Sequence, residues 1–275
     1  MDVWVVDNSS NDGSAAMVKE KYPDVSLIEN HDNVGFGKAN NQAFAQATGE
    51  YLLLLNSDAF ITAGCVQRML EVMETYPDTG AAGCKLLNED MSLQRSCYSF
   101  PTLATELWQT LWLDKLFPRS KIFGKYLMTY WAMNDLRKVD VVMGALMLVR
   151  RNALNGDLLF DDNFFMYSEE VDLCYRLHKR GWTVRYVPDA QAVHIWGGSS
   201  NKVKGETLIR LYQSRVQFFR KHYGSIPVGL YKLLILFNSF TRWMSGTLIS
   251  AFSKNTNLKE KSQSYWQLFT SIHAF

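Results

Sequence analysis

The stretch that decides the fold is Tyr51-Leu-Leu-Leu-Leu-Asn-Ser-Asp58. Four consecutive leucines are typical of a strand buried on both faces, as in a parallel sheet covered by helices. The apolar run then gives way to Asn56 and Asp58. Because ligands of open α/β sheets bind at the carboxyl ends of strands, Asp58 is well placed to bind a divalent cation and its phosphates. The structural alternative is that Asp58 caps a helix predicted near Thr62–Tyr76.

The composition is that of an ordinary globular protein, with 275 residues, 47% hydrophobic and 20% charged. This length is enough for one large α/β domain and an appendage. The N-terminal residues Met1–Asp7 follow a strand pattern, and no signal peptide is visible. The cysteines are far apart and form no CxxC pair, which is typical of reduced, packed thiols in a cytosolic protein; they are Cys65, Cys84, Cys97 and Cys174.

Charge is unevenly distributed along the chain. Residues 201–275 carry 11 lysines and arginines against two acids, a net charge of +9, and the remaining residues carry a net charge of −7. A basic tail predicts an anionic partner, either a membrane surface or nucleic acid, and its apolar content favours the membrane. Val228–Phe252 is about long enough to span a bilayer. Lys232 and Arg242 within it favour amphipathic helices that lie in the interface instead.

A second motif is the turn Asn33-Val-Gly-Phe-Gly-Lys-Ala-Asn-Asn41, which opens a predicted helix ending near Thr48. Gly35 and Gly37 permit close approach of a ligand to the backbone, and helix N-termini favour phosphate. A plain loop explains the same residues, because a lone glycine-rich turn is a weak signal.

A third motif lies between Phe160 and Arg176. Ser168 is predicted to cap a helix that runs to about Lys179. Glu169, Glu170 and Asp172 crowd its first turn, where acids are favoured by the helix dipole. Three acids after an aromatic run also suit a carboxylate base beside a sugar site.

Two further segments and one histidine can each be interpreted in more than one way. Residues 88–138 are rich in aromatic residues and form either an acceptor-binding flap or a satellite cluster packed under loops. Val139–Val149 is strongly apolar, with Gly144 as a point of close approach or a bulge. His194, beside a predicted strand, is either structural or a ligand of the cation that Asp58 would bind.

Six motifs together fall in one order, and this series resembles the family 2 glycosyltransferases, especially their rhamnosyltransferase-like branch. The resemblance covers about residues 1–225. The motifs are Val5-Val-Asp-Asn-Ser-Ser-Asn-Asp-Gly-Ser14, Asn33-Val-Gly-Phe-Gly-Lys-Ala-Asn-Asn41, Leu53-Leu-Leu-Asn-Ser-Asp58, Gly144-Ala-Leu-Met-Leu-Val149, Phe165-Met-Tyr-Ser-Glu-Glu-Val-Asp-Leu173 and His194-Ile-Trp-Gly-Gly-Ser199.

The resemblance implies an α/β GT-A fold, with a Rossmann-like, mostly parallel central sheet flanked by helices. Residues 1–225 would form the glycosyltransferase domain. Outside the resemblance, the charge and apolar pattern of residues 226–275 predicts C-terminal amphipathic helices that associate with the membrane. The family pattern begins with one more strand and helix, so this chain starts at what would be the second strand.

The resemblance also implies site roles, with Mg²⁺ or Mn²⁺ as cofactor. Asp58 and His194 would bind the metal. Glu170 would be the catalytic base, with Glu169 as the other candidate. The residues matching the nucleotide-binding segments are Asp7, Asn8, Asn33, Gly35, Lys38, Asn41 and Asn56.

The function implied is inverting transfer of a sugar, with rhamnose favoured, from a dTDP- or UDP-sugar to a saccharide or polyprenyl-diphosphate-linked acceptor. The enzyme would act in cell-surface polysaccharide synthesis, peripherally on the cytoplasmic face of the membrane and without nucleic acid. One alternative is an inactive remnant or scaffold, motivated by the absent first strand. Another is a sugar nucleotidyltransferase, but Asn8–Gly13 lacks the basic residue and glycine pair that its phosphate loop would require.

Overall fold

A computed structural model of the chain describes residues 1–195, 204–252 and 256–275. The strands are β1 (Trp4–Asp7), β2 (Ser26–Glu29), β3 (Tyr51–Leu55), β4 (Ala59–Ile61), β5 (Thr79–Leu87), β6 (Leu93–Gln94), β7 (Cys97–Tyr98), β8 (Arg137–Val139), β9 (Val141–Val142), β10 (Leu146–Arg150) and β11 (Thr183–His194). The helices are α1 (Ser14–Lys21), α2 (Phe36–Gln46), α3 (Cys65–Thr75), α4 (Leu103–Thr110), α5 (Leu113–Leu116), α6 (Glu169–Lys179), α7 (Lys204–Tyr223), α8 (Ser225–Phe252) and α9 (Thr256–Ser271).

The described residues divide into two compact units. Unit 1 comprises Met1–Cys97 and Met133–His194, and unit 2 comprises Tyr98–Ala132 and Ile195–Phe275. The aromatic segment of the sequence therefore belongs with the C-terminal helices. The domain boundary predicted between residues 225 and 226 falls inside unit 2 and stays a prediction.

The central sheet of unit 1 has seven strands, in the order β3-β10-β5-β11-β4, with β6 beside β5 and β8 beside β11. Only the β5–β11 ladder is parallel, and the others in this sheet are antiparallel. In its strand directions the sheet thus differs from the mostly parallel one expected. Short strands such as β6 return antiparallel because brief connections suffice for them, whereas a parallel pair needs a long crossover.

The leucine strand β3 lies at one end of this order and pairs with β10. Leu52 and Leu54 are buried, whereas Leu55 is 46% exposed. The expectation that this strand is buried on both faces is therefore wrong. Alternate side chains of a strand point to opposite faces. Leu52 and Leu54 fill one face, whereas Tyr51 and Leu53 on the other face are only partly buried, against the core formed by α3 and the central strands.

The apolar run Val139–Val149 is not one strand. It is divided into β8, β9 and β10, with Asp140 and Met143–Ala145 between them. β1 and β2 form a separate two-stranded parallel sheet. All four cysteines are buried free thiols, as expected.

Unit 2 is helical and contains an internal ion pair. Arg215 of α7 donates to Glu106 of α4 at 2.5 Å and to the hydroxyl of Tyr126 at 2.5 Å. In the described part of the chain, no helix combines the length and apolar character needed to cross a bilayer.

Candidate active site

The register of one strand pair brings Asp58 to His194. β4 runs antiparallel to β11, with Ala59 opposite His194. Asp58 directly precedes β4, so its carboxylate lies beside the imidazole, with Oδ1 3.3 Å from Nε2. Asp58 does not cap α3, whose N-cap position is held by Gly64. The structural alternative for Asp58 is therefore wrong.

Gln94 orients the imidazole of His194. Its Nε2 donates to Oδ1 of Asn88 at 2.9 Å and to the backbone oxygen of His194 at 3.2 Å. These two acceptors fix the amide so that its Oε1 lies 2.7 Å from Nδ1 of His194. An amide oxygen only accepts, so we assign the proton to Nδ1. Nε2 then presents a lone pair on the side of Asp58.

Asp58 and His194 fit a divalent cation that is shared with a substrate. Neighbouring ligands of an octahedral Mg²⁺ or Mn²⁺ lie about 3 Å apart, close to the 3.3 Å between Oδ1 and Nε2. A carboxylate oxygen and an imidazole lone pair repel each other at this distance unless a cation or a proton lies between them. Within the described ranges, no cluster of three or more His, Cys, Asp or Glu residues could hold an ion. Mg²⁺ is commonly bound by one or two carboxylates together with substrate phosphates.

Glu170 is connected to this site through the backbone before β10. The amide of Asn56 donates to the oxygen of Ala145 at 3.0 Å. A Cβ placed on the adjacent Gly144 would lie 3.6 Å from Cβ of Glu170, an ordinary contact. Glycine is therefore not required at 144 for this approach. Asn56 and Glu170 therefore both lie beside the Gly144-Ala145 segment.

The two adjacent glutamates have different environments. Glu169 is 6% exposed, and its Oε2 has no hydrogen-bond partner among the described residues. Burial raises the pKa of the Glu169 carboxyl well above its usual range, and the neighbouring Glu170 raises it further. Glu170 is half-buried. A base must be ionised and must reach its substrate, so Glu170 is the better candidate.

The backbone is strained just before these glutamates. Tyr167 and Ser168 have φ angles of 70° and 62°, a region that costs non-glycine residues about 1–3 kcal/mol each. Ser168 occupies the N-cap position of α6, but its side chain makes no capping hydrogen bond. The sequence prediction was right about the position and wrong about the interaction. Such strain is typical of functional sites.

Asp172, the third acid of the cluster, has a structural role. It is fully buried and pairs with Arg176 at 2.8 Å, one helical turn away. Arg176 also donates to the backbone oxygen of Leu159 at 2.6 Å. This contact ties α6 to the segment that precedes it.

Asn8 organises the turn predicted to bind the nucleotide. Its Oδ1 accepts from the amide of Val34 at 3.0 Å, and its Nδ2 donates to Oδ1 of Asn33 at 2.9 Å. Asn33 also accepts from the amide of Gly35 at 3.0 Å. Asp7, at the end of β1, accepts from the amide of Ser10 at 3.1 Å. These residues hold the end of β1 against the turn.

The two glycines of the turn lie close to the backbone of residues 164–165. Gly35 has a φ of +90°, and a Cβ there would lie 2.5 Å from the backbone oxygen of Phe165. The amide of Phe36 donates to the same oxygen at 2.9 Å. A Cβ on Gly37 would lie 3.3 Å from the backbone oxygen of Phe164. Close approach at both glycines was predicted correctly, and the partner in the described residues is the 164–165 backbone. The nucleotide-binding role of the turn stays a prediction.

Asn41 is likewise committed to protein partners. Its Nδ2 donates to the backbone oxygen of Phe160 and to Asp162, both at 2.8 Å. Its Oδ1 accepts from the amide of Phe160 at 3.0 Å. We therefore assign Asn41 to positioning the 160–165 segment.

A pocket of about 320 Å³ lies beside this turn; it is lined by Val34, Lys38, Asn41, Gln42 and Asp162. Lys38 is exposed and supplies a cation to its rim. Residues 196–199 of the last sequence motif lie outside the described residues.

These features define a family, and comparison with known proteins identifies it. Residues 1–154 match the family model for glycosyl transferase family 2, so the chain belongs to that family. It is similar to the N-acetylglucosaminyl-diphospho-decaprenol L-rhamnosyltransferase of Mycobacterium tuberculosis, with 29% identity over 81% of this chain and 76% of that protein. It is also similar to a rhamnosyltransferase of Escherichia coli K12, with 30% identity over 58% of this chain and 60% of that protein.

A solved structure supports the fold. The chain resembles a mannosyltransferase of Pyrobaculum calidifontis in complex with GDP-mannose and Mn²⁺, with a TM-score of 0.55 at 18% identity, over 99% of this chain and 76% of that one. The expected GT-A fold is confirmed. The chain is a glycosyltransferase, and the relatives support this activity over the inactive alternative.

Proposed function

We propose that this protein transfers a sugar, with inversion, from a nucleotide-sugar to a lipid-linked acceptor in cell-surface polysaccharide synthesis. The observation that carries the proposal is the juxtaposition of Asp58 and His194, at 3.3 Å, in a family 2 chain. Rhamnose is the favoured sugar, carried by dTDP or UDP, and a polyprenyl diphosphate saccharide is the favoured acceptor. Both choices follow the names of the relatives.

Donor binding would fall to the turn beside β1 and to the metal site. Asp7 and the turn held by Asn8 contact the base and ribose, and Lys38 contributes positive charge. Asn56 borders the diphosphate. Asp58 and His194 would hold Mg²⁺ or Mn²⁺, which when bound neutralises the charge that develops on the leaving diphosphate.

Glu170 would act as the general base. Its carboxylate accepts the proton of the acceptor hydroxyl while that oxygen forms the new bond to the anomeric carbon. The bond from that carbon to the diphosphate oxygen breaks on the opposite side, so one displacement inverts the centre. Burial raises the pKa of the adjacent Glu169, which favours its neutral form and limits the negative charge near the reacting hydroxyl.

Nucleotide-sugar turnover tests the proposal. Purified protein with Mn²⁺, dTDP-rhamnose or UDP-sugars and a GlcNAc-diphospho-lipid acceptor should release nucleoside diphosphate. We expect Glu170→Gln and Asp58→Ala to abolish most of this release. Asp24→Ala, which removes an exposed carboxylate remote in sequence from the site, is the matched control. Full activity in both site variants would reject the site.

A further inference from the structure

One face of α8 is apolar and uncovered. Seven large apolar side chains recur every three or four residues, which places them along one face of the helix. They are Ile226, Leu230, Leu233, Phe237, Phe240, Met244 and Leu248, with exposed fractions between 41% and 80%. We call this set the α8 stripe. A continuous line of seven such side chains differs from the singly scattered apolar residues that are ordinary on a protein surface.

The opposite face of α8 is already used for packing. Val228, Tyr231 and Ile235 are buried there. The two charged residues of α8 are bonded to neighbours: Lys232 donates to the oxygen of Phe275 at 2.6 Å, and Arg242 donates to Oδ1 of Asn238 at 2.6 Å. The α8 stripe itself contains no charged residue. The buried residues of α8 lie on the face opposite to it.

Aromatic side chains of α9 extend the stripe. The ring of Phe240 lies 5.9 Å from that of Phe269, and Trp243 lies 4.6 Å from Trp266. Trp266 is 41% exposed. Tryptophan is enriched where proteins meet the interface between lipid and water, because its ring is apolar and its N–H is polar.

We propose that the α8 stripe and Trp266 form a docking surface for an anionic lipid bilayer, with α8 lying in the interface. Charge complementarity supports lipid as the occupant. The segment 201–275 carries a net charge of +9, and exposed lysines stand before and after α8 at Lys221, Lys259 and Lys261. Apolar insertion and attraction to anionic headgroups together hold interfacial helices. This inference rests on the proposed lipid-linked acceptor for its biological meaning.

A second copy of the chain fits the stripe less well. Helices that pair through such a seam in water place charged residues on its flanks, where these set register and partner. The exposed residues that flank the stripe are uncharged, for example Gly229 and Thr247. A bilayer needs no such flanking charges beside the apolar face.

Vesicle flotation of the full chain tests the proposal. The probes are phosphatidylcholine vesicles with and without phosphatidylglycerol. The test variant is the double substitution Leu233→Gln and Phe237→Gln. The matched control is Leu116→Gln with Ile122→Gln, two side chains of unit 2 that are 68% and 64% exposed outside the stripe. Because all four are exposed, circular dichroism and thermal midpoints should stay unchanged.

The wild type and the control should float with anionic vesicles, more weakly as salt rises. The stripe variant should bind roughly tenfold or more weakly. Tryptophan emission should shift to the blue on binding, and less so in Trp266→Phe. Equal binding by the stripe variant and the control would overturn the proposal. The proposal would also be overturned if the wild type and the control were dimers, the stripe variant were a monomer, and all three floated equally well.

Flotation requires no donor or acceptor, so it is independent of the proposed reaction. If the chain floats through the stripe but releases no nucleoside diphosphate, the proposed function fails and the docking surface stands. If the chain glycosylates a water-soluble acceptor but never floats with vesicles, the docking surface is rejected and the proposed function stands.

Discussion

Oε1 of Gln94 lies 2.7 Å from Nδ1 of His194, and this contact determines which imidazole nitrogen faces Asp58. Partners of this kind fix the tautomer and orientation of metal-binding histidines. Gln94 is itself held by Asn88. The geometry of the site therefore depends on Gln94 of β6, which lies outside the Asn56–Asp58 turn and outside β11.

Gln94→Ala should weaken activation by metal. Loss of the orienting amide lets the imidazole of His194 rotate and change tautomer, and such losses cost roughly 10–100-fold in metal affinity. The measurement is the Mn²⁺ concentration for half-maximal turnover, which should rise, while saturating Mn²⁺ restores most of kcat. Gln67→Ala, on the exposed face of α3, is the control. An unchanged Mn²⁺ requirement in Gln94→Ala would show that the amide does not position the ligand.

Substitutions of the two adjacent glutamates of α6 should affect the activity to different extents. Glu170→Gln removes the base and should lower kcat by about 10²–10⁴-fold. Glu169→Gln should retain most of the activity, because burial raises the pKa of Glu169 and favours the neutral acid, which the amide resembles in shape and charge. Steady-state kinetics of the two variants at one pH makes the comparison. The reverse order of effects would transfer the role of base to Glu169.

Glu169 should also make stability depend on pH. Its pKa in the fold lies well above the ordinary 4.5. Below about pH 4.5 both the folded and the unfolded forms are protonated, and the group costs nothing. Above that value the unfolded chain ionises first, so stability falls by up to about 1.4 kcal/mol per pH unit until the folded pKa is reached. The difference in thermal midpoint between Glu169→Gln and wild type should therefore change in favour of the variant as the pH rises from 5 to 8. A constant difference across this range would contradict a buried neutral acid.

Gly35→Ala should destabilise unit 1 strongly. The added Cβ would lie 2.5 Å from the oxygen of Phe165, at a φ of +90°. The expected loss of unfolding free energy is about 2 kcal/mol or more, measured by urea unfolding. Gly13→Ala is the comparison, because Gly13 has a φ of +87° and nothing within 4 Å of its Cβ position. Its ψ of 4° lies in the left-handed helical region, whereas the ψ of 164° at Gly35 belongs to a region that only glycine adopts readily, so both the backbone and the Phe165 contact add to the loss at Gly35. Gly13→Ala should lose only about 1 kcal/mol, for the backbone strain. Equal losses would show that neither the backbone nor the Phe165 contact adds to the loss at Gly35.

Sequence patterns predicted correctly those secondary-structure elements whose residues interact with near neighbours in the chain. α6 was expected to run from Ser168 to about Lys179, and it spans Glu169–Lys179. The meeting of Asp58 and His194 was raised as a possibility by residue chemistry and favoured by family resemblance. The sequence by itself could not establish it, because the register of β4 on β11 joins residues far apart in the chain.

Features that depend on remote partners were missed. β3 reads as a fully buried strand, but its burial depends on which strands lie beside it. Gln94 sits in a two-residue strand with no motif around it. The contacts of Gly35 with Phe165 and of Asn41 with Phe160 were not foreseen, because they join residues far apart in the chain. The nucleotide-binding role of Gly35 and Asn41 stays a prediction.

The most direct test of the central claim, that Asp58 and His194 hold one divalent cation, is Mn²⁺ binding measured by electron paramagnetic resonance with a nucleoside diphosphate present. We expect one tightly bound Mn²⁺ in the wild type and in the control Asp24→Ala. Asp58→Ala and His194→Ala should each weaken that binding by roughly 10-fold or more, and the double variant should weaken it by less than the product of the single effects. Wild-type Mn²⁺ affinity in either single variant would contradict the claim.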